Sequence, residues 1–486
     1  MNSNVSSNMT SNMTPNMTPN MTSNVDACVV ILAAGLGTRM RSRQAKVLHC
    51  AGGQTLVEHV LDAASAIAPA EKTWVVIGHQ AERVRTLLTP RGVGFIEQQQ
   101  QLGTGHAVMS GEGQLTGVSK WMVVLNGDGP LLRPETLTAL LSFAESSDVA
   151  AVMITADLDD PTGYGRVIRD ATGRVSEIVE QKAAKPQQLA VKESNTGQYC
   201  FRADLFWAHV KGLKPDNPAK EYYLTDMVAI LIKAGYNVEA FKVADASELT
   251  GINNRVELAR VDTIFRERKV RQLMLEGVTI EKPETVTVDL HVEVGMDTII
   301  EPFARLLGRT RVGQNCRLGA HSILMDCEVE EGAEVFPFSM VQDGKICTGA
   351  RVGPYSRIRP GSVVGPGAHI GNFVELKKAR VGAGTKAMHL AYLGDCAVGE
   401  RTNIGAGSIT CNFDGVHKHA TAIGSDAFVG SNSTLVAPVE VEDGSYIAAG
   451  SVITERVPSG SLALGRARQV VKLGWVKQRQ REREDR

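Results

Sequence analysis

The sequence predicts an α/β domain followed by an all-β coil, and three observations predict it. Apolar runs of strand length alternate with longer helical patterns from residue 26 to about 250. A charged stretch with a sparse apolar stripe follows, and from about 290 onward glycines become frequent while aliphatic residues return every six positions. A chain of 486 residues is long enough for two or three domains, each with its own core.

The first part carries apolar runs at 29–32, 74–77, 122–125 and 149–154, with helical patterns such as 56–68 and 134–143 between them. This is the βαβ pattern of a mostly parallel sheet with helices on both faces. Ligands of such sheets sit beyond the carboxyl ends of the strands. Residues 254–276 place Leu258, Val261, Phe265, Val270 and Leu273 among many charges, which predicts an exposed connecting helix with one narrow stripe.

The six-residue period appears at Val312, Leu318 and Leu324, again at Val352, Ile358, Val364 and Ile370, and then from Ile423 through Val429, Leu435, Val441 and Ile447 to Ile453. Neither the helical 3.6 nor the strand alternation sustains a six. A hexapeptide solenoid does, with each aliphatic residue pointing inward from one flat side of a coil. Ile370 to Val398 spans 28 positions and Ile404 to Ile423 spans 19, neither divisible by six. The sequence therefore predicts that inserted residues leave the coil in both intervals, carrying His389, Tyr392 and Lys418.

Lys plus Arg number 52 against 53 Asp plus Glu, so overall charge gives no reason to expect nucleic acid or an anionic membrane as partner. No stretch approaches the roughly 18 apolar residues of a membrane span. Eight scattered cysteines make neither a CxxC pair nor a zinc spacing and read as reduced thiols of a cytoplasmic protein. Residues 1–25 lack the charged start and apolar centre of a secretory signal, and their Asn-Met-Thr repeats read as a disordered tail. The repeats resemble glycosylation sequons, a reading the reduced thiols oppose.

The stretch VVILAAGLGTRMRSRQAKVLH at 29–49 sets a glycine turn after an apolar strand and follows it with Arg39, Arg41, Arg43 and Lys46. An anion is expected there. The turn is not a Walker loop, and Met40 stands where a dinucleotide fingerprint needs its third glycine. The bland alternative is a tight strand-to-helix turn with solvated arginines.

LAAGLGTRM with Lys46 resembles the signature of sugar-nucleotide pyrophosphorylases. QLGTGHA at 101–107, NGDGPL at 126–131, PTGYGR at 161–166, IVEQK at 178–182, SNTG at 194–197, EYYLTD at 221–226 and GINNR at 251–255 follow in that family's order. With the hexapeptide half, HLAYLGD, NIGAGSITCNFDG and Gly465-Arg466, the chain is similar to the bifunctional N-acetylglucosamine-1-phosphate uridyltransferases and glucosamine-1-phosphate acetyltransferases, over residues 26–475.

The resemblance implies a Rossmann-like uridyltransferase domain at 26–250, a linker helix at 251–276, a left-handed β-helix acetyltransferase domain at 277–475 and a charged tail at 476–486. It implies a homotrimer whose small-molecule substrates are glucosamine-1-phosphate, acetyl-CoA, UTP and N-acetylglucosamine-1-phosphate. Leu32, Ala33, Gly35, Gln98, Gly103 and Thr104 would surround the uridine and its phosphate, with Asn126 and Gly127 nearby. Gly165, Glu180 and Asn195 would hold the N-acetylglucosamine ring. Arg39 and Lys46 with the Gly35 turn suit the triphosphate, and Asp128 supplies the hard oxygen Mg²⁺ prefers, with Asn253 as implied co-ligand. In the second half His389 would be the base, Arg359, Lys377, Tyr392 and Asn403 the sugar-phosphate pocket, and Ala406, Asn412, Phe413, Lys418, Ser431, Ala449 and Arg466 the acetyl-CoA contacts.

Three positions depart from that pattern: Asn126 and Phe413 stand where Tyr is usual, and Ala45 where Pro is usual. The expectation is a more flexible Lys46 loop and changed affinity, not lost activity. Two other readings stay open, a monofunctional sugar-1-phosphate nucleotidyltransferase with a regulatory β-helix, which would not need His389, and a non-catalytic nucleotide-binding subunit.

Overall fold

The computed structural model describes residues 25–181, 183–217 and 219–485, so the expected tail at 1–25 lies outside the described residues except for Val25, as does Lys182 of the IVEQK motif. The chain divides into two compact units, Met1–Asp262 and Thr263–Arg486.

In strand Ala27–Leu32 of the first unit, Val29 and Ile31 enter one core while Cys28 and Val30 enter another. That alternation is what a strand covered on both faces requires. The sheet runs Val238–Lys242, Ala151–Asp157, Glu193–Arg202, Trp121–Asn126, Ala27–Leu32, Thr73–Ile77, Gly94–Glu97. The strands at 27–32, 73–77, 94–97 and 121–126 pair in parallel, as expected. The expectation of a mostly parallel sheet needs one correction. Glu193–Arg202 is wedged antiparallel between Trp121–Asn126 and Ala151–Asp157 and also carries the hairpin Gly165–Arg169 and Val175–Val179. Its sequence, ESNTGQYCFR, keeps only the short apolar stretch Tyr199–Phe201, and a register shift separates that stretch from Asn195.

Helix Leu56–Ala64 starts on a capping box in which the Thr55 amide donates to the Glu58 carboxylate at 3.1 Å. It stops short of the expected residue 68, ahead of Pro69, which biases the residue before it away from helix. Helix Pro134–Ser146 begins on its proline, where no amide is needed. The last parallel pair of the two central strands is Leu32 with Asn126, and the Gly127 amide donates to the Leu32 carbonyl at 2.9 Å. The glycine turn and NGDG therefore leave the sheet side by side.

The connecting helix is Arg255–Leu275, and Val261, Phe265, Val270 and Leu273 of the expected stripe are buried while Leu258 is half-buried. The second unit winds three parallel sheets of 11, 10 and 9 short strands, each strand pairing with the one a full coil later. On the first face Val352, Ile370, Ala387, Ile404, Val429 and Ile447 stack in register and are buried. This is the left-handed parallel β-helix the sextets predict. The charged end forms an exposed helix, Trp475–Glu484.

The interval from Ile370 to Val398 overturns one expectation. Its inward residues are Ile370, Leu376, Val381, Ala387, Leu393 and Val398, so two sides have five residues instead of six and nothing leaves the coil. His389 and Tyr392 lie on strands Lys386–His389 and Tyr392–Gly394. Each short corner in this unit turns on one left-handed residue, Asp326, Asp343, Lys378 and Asp395. Asp tolerates that conformation better than most residues. The second interval does contain an insertion: between Thr410 and Ile423 a loop leaves the coil and pairs Phe413 with Lys418.

Candidate active sites

The glycine turn ends at Gly37, whose φ of +61° and closeness to Lys46, where a built Cβ would lie 2.7 Å from the Lys46 Cβ, allow only glycine. The chain can then fold Lys46 back over the strand ends. Its ammonium contacts the Asp128 carboxylate and reaches Asn253 Oδ1 at 3.4 Å, while Arg39 donates to the same Asn253 oxygen at 2.6 Å. Two cations and two oxygen-bearing side chains from three distant segments thus form one cluster. Gly35 has open space around it.

Ala45 takes φ −56°, within the range of the proline it replaces, and its amide, which proline would lack, donates to Gln80 Oε1 at 3.2 Å. The Gln80 amide in turn contacts the Arg43 carbonyl. Sequence reasoning missed Gln80, whose only signal was its place after the strand Thr73–Ile77.

Beside this cluster Leu32, Thr104, Asn126, Gly165, Glu180 and Asn195 line one pocket together with Tyr164, Thr196, Tyr199 and Leu224. Its volume of about 190 Å³ is below the roughly 300–1,000 Å³ that encloses a drug-sized ligand, a size for one ring. Asn195 Oδ1 accepts from the Tyr199 hydroxyl at 3.0 Å and the Gly197 amide at 3.3 Å, which fixes its amide at the pocket wall. Burial, and then the nearby Asp226 carboxylate, raise the Glu180 carboxyl above its ordinary value; burial raises Asp226 too. Asn126 Nδ2 donates to the Thr196 carbonyl at 3.1 Å, so this residue bridges the parallel and antiparallel strands. Gln98 is buried and donates to the Gly103 carbonyl at 3.0 Å, bracing the loop at 98–104. Gly103, at φ +105°, lies against Tyr222, whose amide donates to the Leu102 carbonyl at 2.8 Å; the Leu224 amide donates to Thr104 Oγ1 at 3.1 Å. Ala33 is buried at the strand end.

In the β-helix, Arg359 donates to Glu375 at 2.9 Å, a partner sequence reasoning did not single out. The Lys377 ammonium is held below its ordinary value, first by its contact with Lys418 and then by desolvation. Two facing ammonium groups are a receptor for an anion. Asn412 is buried and contacts Asp395, the last residue of HLAYLGD. Tyr392 and Asn403 are half-buried on neighbouring faces. His389, Ala406, Ser431 and Ala449 stand in one column, a coil apart, at the corner between the first and second faces. The Arg466 side chain lies beside Gly450 at the end of that column. The loop carrying Phe413 and Lys418 is closed by Asp414, which accepts from the amides of Val416 at 2.8 Å and His417 at 2.6 Å and from His419 at 2.7 Å. Those donors, His417 first, hold the Asp414 carboxyl down to about 2.

Residues 29–190 match the MobA-like NTP transferase domain, and residues 420–455 match the hexapeptide repeat of succinyl-transferase. Bifunctional protein GlmU of Solibacter usitatus is 57% identical over 453 residues, covering 93% of this chain and 97% of the relative. The GlmU proteins of Koribacter versatilis and Streptococcus equi subsp. zooepidemicus are each 46% identical, over 93% and 92% of this chain and 97% of the relatives. The chain belongs to the GlmU family. GlmU joins a nucleotidyltransferase and an acetyltransferase in one chain that makes UDP-N-acetylglucosamine, a precursor of peptidoglycan and lipopolysaccharide in bacteria. The acetyltransferase half removes the reading of a monofunctional nucleotidyltransferase. As in other GlmU chains, both halves are present, and among the described residues no helix is long and apolar enough to cross a membrane.

Proposed function

We propose that the two clusters divide the chemistry as follows. In the first unit the backbone N–H groups of the Gly35 turn, with Arg39 and Lys46, hold the triphosphate of UTP. Leu32, Ala33, Gln98, Gly103 and Thr104 form the uridine side. Asn126, Gly127, Gly165, Glu180 and Asn195 seat N-acetylglucosamine-1-phosphate so that its phosphate oxygen attacks the α-phosphorus in line. The new P–O bond forms as the bond to the β-phosphate breaks, and pyrophosphate leaves. Catalysis of this kind is positioning and charge neutralisation.

Asp128 and Asn253 fit a magnesium ion: a lysine ammonium already lies between their oxygens, and Mg²⁺ characteristically takes one or two protein oxygens beside substrate phosphates. When bound, the ion neutralises phosphate charge. Lys46, beside these two oxygens, would face the triphosphate.

In the second unit Arg359 and Lys377, with Tyr392 and Asn403, hold glucosamine-1-phosphate. His389 takes a proton from the amine as its nitrogen attacks the thioester carbonyl; the C–S bond breaks and coenzyme A leaves as the thiol. Ala406, Ser431, Ala449 and Arg466 form the track for acetyl-CoA, with Asn412, Phe413 and Lys418 on the loop beside it. The chain works in the cytoplasm as a homotrimer. A row of rings supports association with further copies: Phe303, His321, Phe338, Tyr355 and Phe373 stack at 4.8, 4.9, 5.0 and 5.3 Å along the corner that carries His389. Large apolar side chains left exposed in such a patch mark a contact surface.

The observation that carries the first assignment is the convergence of Arg39, Lys46, Asp128 and Asn253. Incubation with glucosamine-1-phosphate, acetyl-CoA, UTP and Mg²⁺ should release free thiol and pyrophosphate. Asp128→Ala should stop only the pyrophosphate and His389→Ala only the thiol, when N-acetylglucosamine-1-phosphate is supplied to the latter. Either substitution silencing both reactions in a folded protein would overturn the division.

A further inference from the structure

Asn372 stands one coil before His389 at the same corner, and the two are partners in parallel register. The Asn372 main-chain carbonyl accepts from the Leu390 amide at 2.9 Å, which fixes the corner. Its side-chain oxygen Oδ1 is buried and has no hydrogen-bond partner. Buried acceptors without a partner are rare and costly, and those that persist have a reason. In register with this one is a titratable side chain. We infer that Asn372 is the positioning residue of His389: its Oδ1 accepts the imidazole Nδ1–H.

Nδ1 lies closer to the main chain than Nε2, so a neighbour on the adjoining coil reaches Nδ1. Nε2 is left bare on the open side. The hydrogen bond of one ring nitrogen sets which tautomer is present, and a bare Nε2 is what an acceptor of the amine proton requires. Among the neighbouring charged groups, Lys386 shares the strand of His389, Arg351 and Glu334 lie on earlier coils of the first face beside His369, and Glu375, paired with Arg359, lies on the second. Burial, then Arg351 and Lys386, lower His369 below the ordinary imidazole value, so it stays neutral near pH 7 and leaves the amide as the orienting group.

The inference rests on His389 being the acetyl-transfer base, and the tests separate the two. The full chain labelled with ¹⁵N-histidine has 11 histidines, and His389→Gln assigns the signal of interest. An Nδ1–H tautomer at His389 is expected; an Nε2–H tautomer overturns the inference and needs no variant that could misfold. Asn372→Ala should lower kcat of acetyl transfer about tenfold, part of the ~10²–10⁴ a positioned base contributes, with KM for both substrates unchanged and the tautomer no longer fixed. Asn372→Asp keeps the acceptor and adds a negative charge. It should restore the tautomer, raise the His389 pKa and move the acid limb of the kcat profile to higher pH. Wild-type kcat in Asn372→Ala, or equal losses in both variants with an unmoved acid limb, would overturn the positioning role. Full acetyl transfer by His389→Ala would instead remove the base assignment itself.

Discussion

Lys46 contacts Asp128 across 82 positions of sequence, and that single approach explains why the opening glycines are needed. Lys46→Met should lower kcat of uridylyl transfer by ~10²–10³, the loss typical of one preorganised charge-stabilising donor, while thiol release from acetyl-CoA stays unchanged; steady-state assays of the two half-reactions check this. Glu180 gives a prediction of opposite sign for stability. Its folded-state pKa is raised, so the folded unit is favoured while the group is protonated, and that advantage disappears as pH rises from the unfolded value through the folded one. Ionising the group inside its pocket is a burden to the folded unit. Glu180→Gln should therefore raise the thermal midpoint at pH 7, leave it nearly unchanged at pH 4, and weaken N-acetylglucosamine-1-phosphate binding, all measurable by calorimetry. The cluster residues were legible in the sequence because each sits in an ordered motif. Gln80 and Glu375 were not, because they act through other side chains and carry no motif of their own. The bond from the Ala45 amide to Gln80 was not legible for a related reason: it exists only in three dimensions.

At the scale of elements, the parallel strands and the coil were legible because each has a period. Two elements were not. Glu193–Arg202 exchanges apolar residues for pocket-lining Asn195, Thr196 and Gly197, so its apolar pattern fades where it lines the pocket. The interval from Ile370 to Val398 read as an insertion, although it contains two five-residue sides; a count that is not a multiple of six does not say whether residues were gained or lost. Both short sides lie at the same corner, one coil apart, where Lys378 and Asp395 turn the chain in the left-handed conformation. The true loop, between Thr410 and Ile423, depends on Asp414. Its carboxyl is held at about 2 against 3.8, so its contribution is complete above 3.8 and is lost as pH falls through about 2. Acetyl-CoA affinity should therefore owe no pH dependence to this group in the neutral range. Asp414→Asn should raise KM for acetyl-CoA by under about tenfold, a limited effect because the group is exposed, with kcat of uridylyl transfer untouched.

For the whole molecule, the decisive question is why a β-helix keeps five large rings on its outside. Phe303, Phe338, Tyr355 and Phe373 are 50, 49, 47 and 57% exposed, and all four, with His321, adopt left-handed backbone that non-glycine residues take up at a cost. Packing within one chain does not repay that cost, since each ring covers only its neighbours in the stack. A surface shared with further copies of the chain would. The ring row also ends one coil before the column of His389, Ala406, Ser431 and Ala449, so a partner seated on the rings would adjoin the proposed acetyl-CoA track. Phe338→Glu places a carboxylate in the middle of the row without disturbing the inward aliphatic residues. Sedimentation should then show a mass below that of a trimer, acetyl transfer should fall with it, and uridylyl transfer should continue at its normal rate. A variant that remains trimeric with full acetyl transfer would show that the rings do not form the contact. A wild-type chain that sediments as a monomer with full acetyl transfer would show that each coil is complete alone.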